Sequence, residues 1–236
     1  MTKPSPVVLI VGGSRGIGAA CCKAFADAGW QVASTYTAEP SPQPVGRTYK
    51  LDVRDAAGVA NVFEKVTADF GAPPLAVIAN AGINRPPRPV ADFPQADFRD
   101  LVEVNIVGAF NVLAEAARRV PDGGSIVALT TSMVRVAIPG GGPYTATKAA
   151  LESLIRSMSK ELAGRGIRVN AVAPGPVDTD LFRAGKTEEA KQRSAGLSPL
   201  NRIGHAEEIA EVVLFVASDK ASWITGQIIQ PNGGMV

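Results

Sequence analysis

Tyr144 and Lys148 stand four apart in the stretch YTATK. If Tyr144 opens a helix, that spacing puts both side chains on one face. An ammonium beside a phenol favours phenolate and lowers a tyrosine pKa that is normally about 10. A tyrosine tuned in this way gives or takes a proton near neutral pH. Ser132 stands twelve residues before Tyr144, directly after an apolar run. A hydroxyl there can bond a substrate carbonyl oxygen. It is the last of three consecutive hydroxyls in TTS, and each of these residues also has a bland reading. A Tyr and a Lys at this spacing arise by chance, and a serine after a strand is often only a loop residue.

A second group lies near the N-terminus, in VGGSRGIGAA at residues 11–20. An apolar run, Val7 to Val11, leads into glycines and then into a helix-like segment. Glycine allows a sharp turn and close approach to the backbone. The free N–H groups and dipole of the following helix favour a phosphate. The glycines fall at Gly12, Gly16 and Gly18, with Gly13 extra, a spacing unlike the usual G-x-G-x-x-G. An ordinary tight turn is the competing reading.

Elements that must position these residues alternate along the chain. Strands are expected at Val7–Val11, Gln31–Thr35, Arg47–Leu51, Leu75–Ala79, Ser125–Thr130, Arg168–Val172 and Gln227–Gln230. Helices are expected at Ile17–Ala28, Ala56–Phe70, Asp97–Val120, Tyr144–Ala163 and Ala206–Ala217. Apolar strands alternating with helices predict an α/β fold, a parallel sheet covered on both faces. Prolines 40, 42 and 44 forbid a regular helix between the second and third strands, so a short extended crossover is expected there. Residues 174–204 show no clear period, as expected of a lid or binding element. With no repeat and no linker, residues 1–236 read as one domain.

Composition narrows the function classes. The chain has 236 residues, 46% apolar and 19% charged, with a net charge of +2. It carries no basic run with interleaved aromatics, which argues against nucleic acid. No apolar stretch is long enough to cross a bilayer and no signal peptide is evident, so a cytoplasmic protein is expected. Cys21 and Cys22 are adjacent and lack metal or redox spacing, so they are expected to pack as small apolar residues. No metal site is expected.

The chain resembles the classical short-chain dehydrogenase/reductase family over nearly its full length, and within it the 3-oxoacyl-acyl-carrier-protein reductase branch. The matching pieces are VGGSRGIG at 11–18, LDV at 51–53, NAG at 80–82, Asn105 within VEVNIVGAF, Ser132, YTATK, RVNAVAPGPVDTD at 168–180, and the run from Pro199 to Gly234. The resemblance implies a Rossmann-like fold with seven parallel strands in the order 3-2-1-4-5-6-7. It implies hydride transfer between NADP(H) or NAD(H) and a carbonyl or alcohol. Tyr144 would be the proton donor, Lys148 would hold the nicotinamide ribose, Ser132 the substrate oxygen, and Asn105 a water leading to Lys148. Asparagine is a poor helix former, and its place inside a helical run already points to a set role. By the same resemblance Gly12, Ser14, Gly16, Ile17 and Gly18 surround the pyrophosphate. Asp52 and Val53 flank the adenine, Asn80, Ala81 and Gly82 line a ribose, and Pro174, Gly175, Val177 and Thr179 seat the nicotinamide.

Relatives that prefer NAD carry an acidic residue at the end of the second strand. Here that end reads Ser34-Thr35-Tyr36-Thr37, so a 2′-phosphate meets no repulsion and Arg15 is placed to pair with it. NADP(H) is therefore expected, with NAD(H) as the alternative and Glu39 nearby as the feature that favours it. Departures from the family are Val11 for a threonine, Ala79 for an asparagine, PNGG for VDGG, a lost helix after the second strand, and a Ser132–Tyr144 spacing one residue short. Helices 97–120 and 144–163 carry apolar residues on more than one face, which predicts a further burial partner. The resemblance implies a homotetramer built as a dimer of dimers, and an acyl carrier protein as a partner of that branch. Arg165 stands where such a carrier could dock, although a helix-end arginine is as ordinary a reading.

Overall fold

Side chains alternate across each strand, and the alternation builds two cores. In β1 (Val7–Val11), Val7, Leu9 and Val11 face one side and Val8 and Ile10 the other. The computed structural model describes residues 5–184 and 186–236. Its remaining strands are β2 (Gln31–Tyr36), β3 (Arg47–Lys50), β4 (Ala76–Ala79), β5 (Ser125–Leu129), β6 (Arg168–Val172) and β7 (Ile228–Ile229). All pair in parallel, in the order β3-β2-β1-β4-β5-β6-β7. This is the Rossmann-like order that the family resemblance implied.

One face is covered by α1 (Gly16–Asp27) and, late in the chain, by Ala206–Ala217; the other by α2 (Ala56–Phe70) and the helical runs 95–119 and 142–161. Buried on α1 are Cys21, Cys22 and Phe25. Both thiols are free, and burial pushes them up, Cys22 to about 11. They pack as small apolar groups. Between β2 and β3 the chain runs without helix through prolines 40, 42 and 44, as expected.

The expected helix over Asp97–Val120 is interrupted. It runs as α3 (Gln95–Val102), a π-helical turn (Glu103–Gly108) and α4 (Ala109–Arg119). A π-turn inserts a residue into the helix and re-aims the side chains around it. Its buried residues are Asn105 and Gly108, and Asn105 is the one that carries a polar side chain. A four-residue helix, α5 (Met133–Val136), follows β5, and then comes α6 (Gly142–Glu161), with Pro143 in its first turn. Residues 174–204 are not irregular throughout. They hold α7 (Asp180–Arg183) and α8 (Glu188–Ala195), each started by a threonine, Thr179 and Thr187, whose hydroxyl accepts a backbone N–H. The sequence reading missed both because neither is long enough to show a period. The last helix, α9 (Ala206–Ala217), has the predicted bounds. Among the described residues no helix is long and apolar enough to cross a membrane.

Candidate active site

The strand order reverses between β1 and β4, and in open α/β sheets ligands bind beyond the carboxyl ends of the strands at such a point. Both Gly12, after β1, and Asn80 to Gly82, after β4, lie there. They are stitched together tightly. Asn80 and Ala81 donate backbone N–H groups to the Val11 carbonyl, at 3.1 and 2.8 Å. The Asn80 amide donates to the Gly12 carbonyl at 2.7 Å, and the Gly12 N–H donates to the Thr35 hydroxyl at 3.0 Å. These bonds tie the glycine loop to Asn80 and Ala81 without a hydroxyl at position 11. They also commit the Asn80 and Thr35 side chains to shaping the loop. A side chain at Gly18 would collide with the Gly12 carbonyl and the Asn80 amide, so only glycine closes this turn.

Helix α1 begins just beyond, with no side-chain cap and no acidic residue in its first turn. Its N-terminus is therefore open to an anion. Ser14 and Ile17 are half-buried, Ile17 against the core beneath α1. Gly13 packs differently from the other glycines, against Ser34 and Cys22. Arg15 is exposed and, among the described residues, makes no ion pair. At the end of β2, Ser34 and Thr35 are buried, and Tyr36 pairs in register with Lys50 of β3. Lys50 thus puts a second cation at this end of the sheet, which the sequence reading did not single out.

On the other side of the site, Asp52 is turned toward Arg54, whose Nε donates to both carboxylate oxygens at 3.0 Å and holds the carboxyl below its usual range. Val53 is buried against Gly108, and its carbonyl accepts from the Asn111 amide. In the segment Pro174, Gly175, Val177 and Thr179, it is Thr179 that reaches the glycine loop. The Thr179 side chain lies against Gly16, Gly175 against Asn232, and Val177 bridges to Gly204.

Asn105 is fully buried. Its Oδ1 accepts the Ile83 N–H at 2.8 Å, and its Nδ2 donates to the Ile83 carbonyl at 2.9 Å and to Thr147 Oγ1 at 3.1 Å. The Thr147 hydroxyl in turn donates to the Tyr144 carbonyl at 2.7 Å. One asparagine therefore ties the loop after β4 to the first turn of α6, which carries Tyr144 and Lys148. Sequence reasoning missed Thr147, although it lies inside YTATK.

Lys148 is buried, and its Nζ donates to the Leu129 carbonyl at 2.9 Å. Burial pulls its pKa down to about 8 and pushes the Tyr144 phenol up to about 12. The expectation that the ammonium lowers the tyrosine is corrected here. Loss of hydration dominates both groups, and the ammonium is drawn to a carbonyl instead. Gly82, just after β4, lets two of the polar groups approach the backbone closely: a Cβ there would stand 3.1 Å from Asn105 Oδ1 and 3.2 Å from Lys148 Nζ. The two polar groups converge on a backbone that bears no side chain. With the open N-terminus of α1, these converging polar groups are chemically suited to an anionic, hydroxyl-bearing ligand.

Ser132 is placed otherwise than expected. It is fully buried, its hydroxyl donates to the Ala173 carbonyl at 2.7 Å, and it accepts from the Asn232 amide at 3.0 Å. Its only proton is committed inside the protein.

A family model described as enoyl-(acyl carrier protein) reductase matches residues 11–236. The chain is 36% identical over 253 residues to an NADPH-dependent aldehyde reductase-like protein, chloroplastic, of Arabidopsis thaliana, covering 98% of this chain and 94% of the relative. It is 35% identical over 240 residues to the 3-oxoacyl-(acyl-carrier-protein) reductase FabG of Escherichia coli, covering 97% and 96%. A solved short-chain dehydrogenase/reductase from Serratia marcescens superposes with a TM-score of 0.89 at 32% identity, over 99% of both chains. One from Burkholderia cenocepacia, in complex with NADP, gives 0.88 at 29%, again over 99% of both. The glycine turn, the buried Asn105 and the Tyr144–Lys148 helix thus sit in a chain that belongs to the short-chain dehydrogenase/reductase family, oxidoreductases that act on carbonyl and CH–OH groups.

Proposed function

We propose that the protein reduces the carbonyl group of a small molecule with NADPH, and catalyses the reverse oxidation when the alcohol and NADP+ are in excess. NADPH, when bound, would supply the hydride and become NADP+. Tyr144 gives its phenolic proton to the carbonyl oxygen as the carbon becomes an alcohol carbon. Lys148 would hold ribose hydroxyls with the ammonium protons that it does not give to the Leu129 carbonyl. Asn105 and Thr147 hold the start of α6 still, so that the proton is delivered from a fixed place. Arg15 and Lys50 favour the 2′-phosphate. The observation that carries this reading is the convergence of Lys148 Nζ and Asn105 Oδ1 on Gly82, where the sheet order reverses.

A free carbonyl compound is favoured over a carrier-bound acyl chain by one residue. Arg165 donates to Asp122 at 2.8 Å and to the Ala117 and Val120 carbonyls at 2.7 and 2.6 Å. Its guanidinium ties down the end of α4 and is not held out for an acidic carrier. The two buried free thiols suit a reducing compartment such as the cytosol. The test is oxidation of NADPH with a panel of aldehydes, ketones, quinones and a 3-oxoacyl thioester. Turnover of the free carbonyls with NADPH supports the reading. NADPH left unoxidised by the whole panel overturns it, and turnover confined to the thioester overturns the choice of substrate.

A further inference from the structure

We propose that Thr131, rather than Ser132, presents the hydroxyl that binds the substrate's carbonyl oxygen, and that Ser132 is a positioning residue that locks the loop carrying it. The inference rests on the reductase reading above. Three hydroxyls follow β5, and the structure treats each differently. Thr130 has an Oγ1 that is sealed from solvent and without a partner. It cannot meet a substrate.

Ser132 is held on three sides. Its N–H donates to the Pro174 carbonyl at 2.9 Å, its hydroxyl to the Ala173 carbonyl, and the Asn232 amide donates to its oxygen. Turning that proton to a substrate would leave a buried carbonyl unpaired, which is costly. Thr131 differs. Its Oγ1 accepts the Met133 N–H at 3.3 Å, and among the described residues no acceptor takes its proton. It keeps 8% exposure while Ser132 keeps 0%. A hydroxyl with its oxygen held and its proton unassigned is a preorganised donor.

Position agrees with this. Lys148 Nζ bonds the Leu129 carbonyl, two residues before Thr131, so the ammonium is fixed at the end of the strand that leads into this hydroxyl. The far end of the loop is fixed as well. Arg135 of α5 donates to the buried Glu152 of α6 at 2.9 Å, so the loop is pinned to the helix that carries Tyr144. Thr131 is the hydroxyl left free between two anchored ends.

The test compares Thr131→Val, Thr131→Ser and Ser132→Ala for kcat on a carbonyl that the wild type reduces, for NADPH affinity by fluorescence titration, and for thermal midpoint. Thr131→Val should lose roughly 10²-fold in kcat, the usual effect of removing one donor to a developing oxyanion, and keep its NADPH affinity and midpoint. Thr131→Ser should recover most of that rate. Ser132→Ala should lose several degrees of midpoint and far less rate than Thr131→Val. A Thr131→Val enzyme with wild-type kcat, or a Ser132→Ala enzyme that loses the larger share of rate at an unchanged midpoint, overturns the assignment and leaves the reductase reading standing. A wild type that reduces no carbonyl overturns both.

Discussion

Asn232 donates its side-chain amide to the Ser132 hydroxyl at 3.0 Å, joining residues 100 positions apart. Its own carbonyl oxygen accepts the N–H groups of Gly234 and Met235 at 3.0 and 3.1 Å, so the C-terminal turn is wedged against the loop after β5. An aspartate at this position, as in the commoner VDGG, has no proton to donate. Ser132 would then face two acceptors, the new carboxylate and the Ala173 carbonyl, with one proton. Asn232→Asp should leave one of them unpaired, at about 1–3 kcal/mol. For a chain of this size that lowers the thermal midpoint by roughly 3–10 °C. Calorimetry that shows no shift would refute the claim that the amide, rather than the turn itself, holds Ser132.

Arg15 should matter to one cofactor and not the other. It is exposed beside the open N-terminus of α1, and the end of β2 offers no carboxylate. Charge-assisted hydrogen bonds to a 2′-phosphate contribute about 1.5–3 kcal/mol. Arg15→Ala should therefore weaken NADPH binding by roughly 10- to 100-fold and leave NADH nearly as it was. Lys50→Ala should act in the same direction and more weakly, since a lysine meets phosphate as a single point charge. The ratio of kcat/KM for NADPH over NADH is the measurement, and a wild-type ratio below one would sink the preference.

The sheet and its helices were legible because their signals are periodic and repeated. β1, β6, α2 and α9 have the bounds that the sequence predicts. What the sequence hid is which way polar side chains turn. Ser132, Thr131 and Thr130 are chemically interchangeable in the string TTS, and only the carbonyl of Ala173 and the amide of Asn232, both distant in sequence, separate them. The same holds for Tyr144 and Lys148. Their spacing shows that they share a helix face, but it carries no information on burial, and burial sets both pKa values. The π-turn at Glu103–Gly108 was hidden too, since its pattern over the full run reads as plain helix. The poor fit of Asn105 to a helix interior was its only trace.

Assembly gives a prediction that needs no substrate. Phe110 on α4 is 54% exposed, and Trp223, just before β7, is 98% exposed. Ala109, Val112, Leu113 and Ala116 fill the core side of α4, so Phe110 lies on a second apolar face. Two unpartnered aromatic sites on different elements suit the two interfaces of a dimer of dimers. Light scattering should give a tetramer at micromolar concentration, and Phe110→Glu and Trp223→Glu should each give smaller species. A stable wild-type monomer would count against this.

Lys148 and Tyr144 make opposite predictions in pH, and together they test the chemical step. The Lys148 pKa in the folded chain is pulled down to about 8 from 10.5. Between those values the native chain has released a proton that the unfolded chain still holds, so stability rises with pH across that window. Lys148→Met lacks the group, and the midpoint of the wild type should climb relative to it from pH 8 to 10. Tyr144, raised from 10.0 to about 12, works in the other direction, and only above that range. NADPH binding should follow the reverse course. If the Lys148 ammonium grips the ribose as proposed, it is lost above pH 8, so wild-type affinity should fall as stability rises, while affinity in Lys148→Met should start lower and stay flat. Tyr144→Phe should keep the wild-type binding profile and lose about 10²–10⁴-fold in kcat, the usual effect of removing a positioned acid. A wild-type NADPH affinity that does not change from pH 7 to 10 would remove Lys148 from cofactor binding, and a Tyr144→Phe enzyme with normal turnover would remove the phenol from proton transfer.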